Sequence, residues 1–197
     1  MAGTKKAADG DETLSFASPA VLDAWLARHH ATSPGIWLQL AKKAANVPSV
    51  TYAEAVEVAL AWGWIDGQKR SLGAHAWLQR LCPRGKRSIW SKINRDKALA
   101  LIASGRMQPA GRAEVERAQE DGRWADAYDS PRTAEVPEDL ARALAKNAKA
   151  RAAFATLNGA NRYAILWRVQ TAKKPETRAR RIADLVAMLA RGEKLHP

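Results

Sequence analysis

The amino-acid sequence predicts an α+β fold: a small antiparallel or mixed sheet of about three strands covered by helices, followed by an all-helical C-terminal part. Three observations predict it. Ile36, Leu38 and Leu40 alternate with Trp37 and Gln39 in the period of a strand. Residues 64–72 and 76–81 read as the arms of a hairpin around Gly73-Ala74-His75. From Ser88 onward the apolar patterns repeat with the period of a helix. Strands and helices do not alternate along the chain as they do in doubly wound nucleotide-binding folds.

Each element has its own punctuation. Residues 1–14 are small and polar and read as a disordered tail, which leaves 15–126 as an α+β domain and 127–197 as a helical part packed on it in one compact unit. Ser18-Pro19 is an N-cap followed by proline at the first helical position, and Leu22, Trp25 and Leu26 then fall on one face of a helix ending near His30. The turn Ser33-Pro34-Gly35 leads into the first strand, which ends at Lys42 and Lys43. Thr51 and Glu54 have the spacing of a capping box, and the helix they open carries Ala55, Val56, Ala59 and Leu60 toward a core before Gly63 stops it. After the hairpin, a helix is expected from Ser88, with Ala98, Leu101 and Ile102 on one face and Gly105 as its stop. Pro109 opens the next and Gly122 ends it; residues 123–136 read as an ordered loop. Pro137, Asn147, Asn158 or Asn161, and Pro175 mark four more helix starts. The last helix places Ile182, Leu185, Val186 and Leu189 at i, i+3, i+4 and i+7.

Composition narrows the function classes. A chain of 197 residues, 47% hydrophobic, can bury a real core. No run approaches the roughly 18 apolar residues of a membrane-spanning helix, and the start has no apolar stretch like a signal peptide, so a cytoplasmic location is expected. One cysteine, Cys82, supports neither a disulfide framework nor a cysteine-based zinc site. Neither the four histidines nor any serine has the spacing of a metal site or a nucleophile elbow, so no metal and no cofactor are expected. The net charge of +12 is unevenly spread: residues 66–97 carry 9 basic and 2 acidic side chains, and 162–197 carry 9 and 3. The rest of the chain is close to neutral. Two basic blocks of this kind either form a solvated surface or attract phosphates, nucleic acid or another anion.

Three stretches could carry chemistry. In WGWIDGQKR (62–70), Asp66 lies beside tryptophans and before Lys69 and Arg70. It is a candidate general acid/base or ligand-binding group, or simply a turn aspartate beside glycine. In PRGKRSIWSKINR (83–95), a basic loop with glycine runs into the expected helix start, so Arg84, Lys86, Arg87, Ser88, Lys92 and Asn94 could converge on one anion, with Trp90 either stacking on a base or anchoring the core. The spacing is not that of a phosphate-binding P-loop. In AKKPETRARRI (172–182), Lys174, Arg178 and Arg181 form a basic ridge at a helix N-terminus, where positive charge is mildly unfavourable and suggests another use.

These stretches resemble the YdeI/OmpD-associated family, also described as bacteriocin-protection proteins. The resemblance is carried by SPGIWLQLAKK (33–43), TYAEAVEVALAWGWIDGQKR (51–70), WLQRLCPRGKRSIWSKINRDKA (77–98), GRMQPAGRAEV (105–115) and NRYAILWRVQTAKKPETRARRI (161–182). It implies a role in protection against antimicrobial peptides or envelope stress, without catalytic residues to carry over. Two main expectations follow. One is a non-catalytic stress protein that binds an anionic partner such as nucleic acid through the basic segments, or an acidic protein through the same face. The other is a small-molecule-binding protein or enzyme with a pocket walled by Trp62, Trp64, Trp77 and Trp90 around Asp66 and Arg80. The residues name no reaction, and enzyme and binding protein both stay open.

Overall fold

A computed structural model of the chain describes residues 5–6, 12–42, 45 and 47–197. They form two compact units, one of residues 1–90 and 94–126, the other of residues 91–93 and 127–197.

The first unit is built on an open mixed sheet. Its strands are β1 (Lys5–Lys6), β2 (Glu12–Leu14), β3 (Ile36–Ala41), β4 (Trp64–Leu72) and β5 (Ala76–Pro83), in the spatial order β1-β2-β3-β5-β4. Four strands are three residues or longer, one more than the sequence predicts, and β1 adds a two-residue edge. Strand β2 falls in the stretch expected to be a tail. It is held parallel to β3, with Glu12 opposite Ile36 and Leu14 opposite Leu38. Apart from β1 and β2, residues 1–14 lie outside the described residues, as does Lys43. The hairpin β4–β5 is antiparallel as expected, with its register shifted by a bulge between Asp66 and Lys69.

Helices α1 (Pro19–His29) and α2 (Tyr52–Ala61) pack on each other, and α2 also packs on β4. Both start where their punctuation requires. Pro19 occupies the first turn of α1, and Thr51 and Glu54 complete the capping box of α2. Their apolar residues meet the sheet in one core containing Leu22, Leu26, Ile36, Leu38, Leu40, Ala55, Ala59, Trp64 and Leu81. Each fully buried leucine or isoleucine there contributes about 1.5–3 kcal/mol. Helices α3 (Lys92–Ala103) and α4 (Pro109–Glu120) follow. Helix α3 begins four residues later than Ser88. Ser88 is instead in a turn closed from both sides, its backbone N–H donating to the Gly85 carbonyl and its hydroxyl accepting from the Gly85 N–H.

Two glycines allow α2 and α4 to approach. Gly63 has φ of +74°, and a Cβ there would lie 2.9 Å from the Ala110 carbonyl oxygen. A Cβ on Gly111 would overlap the Ala61 carbonyl oxygen.

The second unit is helical: α5 (Glu138–Ala145), α6 (Ala148–Ala155), α7 (Gly159–Gln170) and α8 (Pro175–Ala190). Asn147 caps α6 by accepting from the Ala150 N–H, and Asn158 caps α7 by accepting from the Asn161 N–H. Asn161 is therefore not the cap. Pro137 is the residue before α5 rather than within it. The core joins Leu140 and Leu144 to Phe154, Ile165, Val169, Ile182, Leu185 and Leu189. No helix among the described residues is long and apolar enough to cross a membrane.

Candidate anion-binding surface

Strand β4 is an edge strand that carries Lys69 and Arg70, and its residues from Gly67 to Leu72 are all exposed. Two of its cations lie on aromatic rings. Lys69 Nζ is 4.3 Å from the centre of the Trp77 ring, and the Arg70 guanidinium carbon is 4.0 Å from the Trp37 ring. The two contacts are on opposite faces of the sheet, because Lys69 and Arg70 are consecutive in a strand. On the helix-covered face, Asp66 accepts a 2.6 Å hydrogen bond from the Tyr52 hydroxyl, and the Tyr52 and Trp77 rings are 5.7 Å apart. On the other face, Trp37 is fully buried although it alternates with core residues. Arg70 is part of its cover.

Cross-strand register separates the two polar groups expected to share a pocket. Asp66 is opposite Leu81, which belongs to the core face, and Arg80 is one residue before it, opposite Trp37. With a side-chain period of two, Asp66 and Arg80 point to opposite faces of the sheet. Nor do the four tryptophans wall one pocket. Trp64 is in the main core and donates from Nε1 to the His30 carbonyl, Trp62 and Trp77 pack against that core, and Trp90 stands elsewhere against Trp124.

The loop after β5 divides its cations between the interior and solvent. Arg84 is 5% exposed, its guanidinium 3.7 Å from the Trp90 ring centre, and its backbone N–H donates to the Gly63 carbonyl at 3.0 Å. Arg123 Nη1 donates to the Ser88 carbonyl at 2.7 Å, and Trp124 meets Trp90 edge-on at 4.9 Å. Glu114 lies among these arginines and accepts from Arg117. Burial pushes its carboxyl above the ordinary range, even though Arg117, Arg84 and Arg123 all pull the other way. Arg84 and Trp90 are thus parts of a packed interior cluster, whereas Lys86 and Arg87 at the tip of the turn are exposed. Asn94 is half-buried on α3.

The remaining candidates belong to the second unit. Lys92 forms a 2.7 Å ion pair with Asp129. Arg178 grips Asp139 with two hydrogen bonds, Nε to Oδ2 at 2.6 Å and Nη2 to Oδ1 at 3.0 Å, while its Nη1 donates to the Val169 carbonyl at 2.8 Å. Arg181 Nη1 donates to the Arg168 carbonyl at 2.7 Å. Both arginines reach from the start of α8 to the last carbonyls of α7, where positive charge is favourable. The mildly unfavourable charge at one helix N-terminus therefore serves the C-terminus of its neighbour. Lys174, the cap residue of α8, is exposed.

No group of histidine, cysteine or acidic side chains among the described residues has the arrangement of a metal site. Of the predicted residues, Lys69, Arg70, Lys86 and Arg87 are exposed cations of one hairpin and the turn that follows it, and Asp66 lies half-buried beside them.

A family model described as a domain of unknown function, DUF8412, matches residues 14–114, just over half of the chain. The chain belongs to this family. A second model, described as bacteriocin-protection, YdeI or OmpD-associated, matches residues 133–192. The resemblance read from the sequence is thus supported over the C-terminal part. Of the stretches that carried it, only 161–182 lies inside that match, and those between residues 33 and 115 fall on DUF8412 almost entirely. Apart from residues 91–93, each match stays within one structural unit. Comparisons with curated proteins and with solved structures return no match.

Proposed function

We propose that the chain is a non-catalytic, cytoplasmic protection-type protein that binds nucleic acid through the β4–β5 hairpin and the turn at Lys86 and Arg87. The observation that carries this reading is the pair of cation–aromatic contacts, Lys69 on Trp77 and Arg70 on Trp37, on an exposed edge strand. A cation resting on a ring is already restricted in its rotamers, so it loses less freedom when it meets a phosphate. The sequence is locally basic as well: from Gly67 to Pro83 it has three basic residues and no acidic one, the nearest carboxylate along the strand being Asp66. The protective role is supported by the family match over residues 133–192.

The test uses the full chain and a labelled single-stranded oligonucleotide followed by fluorescence anisotropy at low salt. Reversing the hairpin charges (Lys69→Glu with Arg70→Glu) is expected to weaken binding by at least about tenfold, uniformly across sequences. Reversing Lys174 is expected to change it much less. Equal losses from the two variants, or no binding by the unaltered chain, would remove the proposal.

A further inference from the structure

The first unit has a groove that shares no residue with the basic hairpin. Its volume is about 700 Å³, within the usual range for small-molecule sites. The floor is apolar and made of short side chains, Ala20, Ala53, Val58, Ala61 and Leu101. Its walls carry opposite charges. Asp23 on α1 and Glu54 and Glu57 on α2 supply its acidic lining, and Lys97 on α3 and Arg106 in the turn after α3 its basic lining.

The walls are braced. Trp62 Nε1 donates to Asp23 Oδ1 at 2.8 Å, which ties the end of α2 to α1. Arg106 pairs with Glu57 at 2.7 Å, and the Gln108 N–H donates to the Ala61 carbonyl at 3.1 Å, which ties the turn to α2. The close packing at Gly111 fixes the same junction from behind. The Trp62–Asp23 bond, the Gln108–Ala61 bond and the packing at Gly111 thus leave the recess preformed.

We propose that this groove binds a small zwitterion, the size of one or two amino acids, with an apolar side chain. Its ammonium group would face Asp23 and Glu54, its carboxylate Lys97, and its apolar body the alanine, valine and leucine floor. The charge pattern selects this class. With Glu57 and Arg106 paired to each other, a simple carboxylate would meet Asp23 and Glu54, a simple amine would be set against Lys97, and an uncharged molecule would strip water from both walls without replacing it.

Calorimetric titration of the full chain with leucyl-leucine tests the proposal. Saturable binding is expected, weakened at least about tenfold when either terminus of the peptide is blocked, which is about 1.4 kcal/mol. Ala53→Trp, an exposed helical position on the floor, is expected to abolish binding without lowering the thermal midpoint. Lys97→Ala is expected to remove the preference for a free carboxylate. Equal affinity for free and blocked peptides, unchanged binding by Ala53→Trp, or no saturable binding below about 10 mM would overturn it. Binding should survive the hairpin charge reversal, so the two sites succeed or fail separately.

Discussion

Arg178→Met isolates the polar clamp at the start of α8 while keeping most of the apolar stem of the side chain. The change removes both hydrogen bonds to Asp139 and the one to the Val169 carbonyl. A hydrogen bond to a charged group contributes about 1.5–3 kcal/mol. Here the Arg178 and Asp139 side chains are 28% and 35% exposed, and solvent screening holds the bidentate pair to the lower end of that range. Capping the last carbonyls of α7 adds a few tenths. The expected loss is about 2 kcal/mol, read by urea unfolding of the full chain at neutral pH. Its pH dependence is diagnostic. Asp139 is held below its ordinary value of 3.8 chiefly by the Arg178 hydrogen bonds, with burial opposing them. A carboxylate lowered in the folded state contributes stability above its unfolded value, and loses it as pH falls through the folded one. The difference between wild type and variant should therefore be full near neutral pH and narrow below about pH 4. A difference under about 0.5 kcal/mol, or one that persists in acid, would refute the clamp.

Two further substitutions probe packing. Gly→Ala inside a helix ordinarily stabilises by about 0.5–1 kcal/mol, but Gly111→Ala is expected to destabilise by about 2 kcal/mol or more, because the new methyl would overlap the Ala61 carbonyl, which is backbone; a shift of the urea midpoint to higher denaturant would contradict this. Asn161 is 1% exposed and holds His196 from both sides, its Nδ2 donating to the carbonyl at 3.2 Å and its Oδ1 accepting from the N–H at 2.9 Å. Asn161→Leu keeps the branching of the side chain and removes the bonds, so it should cost about 1–3 kcal/mol and speed amide exchange at residues 193–196; unchanged exchange there would show that another contact holds the terminus.

Helices with a proline or a capping box at their start are legible from the sequence because the signal and the structure occupy the same few residues, as at Pro19, Thr51 with Glu54, Pro109 and Pro175. Strand β2 is not, since three residues have no usable periodicity and are held by pairing with β3, some 24 positions on. The start of α3 is displaced by turn chemistry: the helical pattern begins at Ser88, but Ser88 is held in a turn in which its hydroxyl accepts from the Gly85 N–H. The basic ridge of α8 was visible as arginines three apart. Its use was not, because the carbonyls it caps belong to α7. Alternation placed Trp37 on the face opposite Ile36 and Leu38, yet could not say that Arg70 from a strand two places away would cover it. The groove draws its charged walls from α1, α2, α3 and the following turn, and no local spacing joins Asp23 to Lys97 or Glu57 to Arg106.

On the proposed reading, four exposed cations, Lys69, Arg70, Lys86 and Arg87, hold a chain of phosphates. The slope of log K against log salt for the single-stranded oligonucleotide tests it most directly, comparing wild type with the variant carrying alanine at all four positions. If each cation neutralises one phosphate, the variant's slope should be shallower by about 3. An unchanged slope would contradict the account, since the cations that meet the phosphates would then lie outside the hairpin and its following turn.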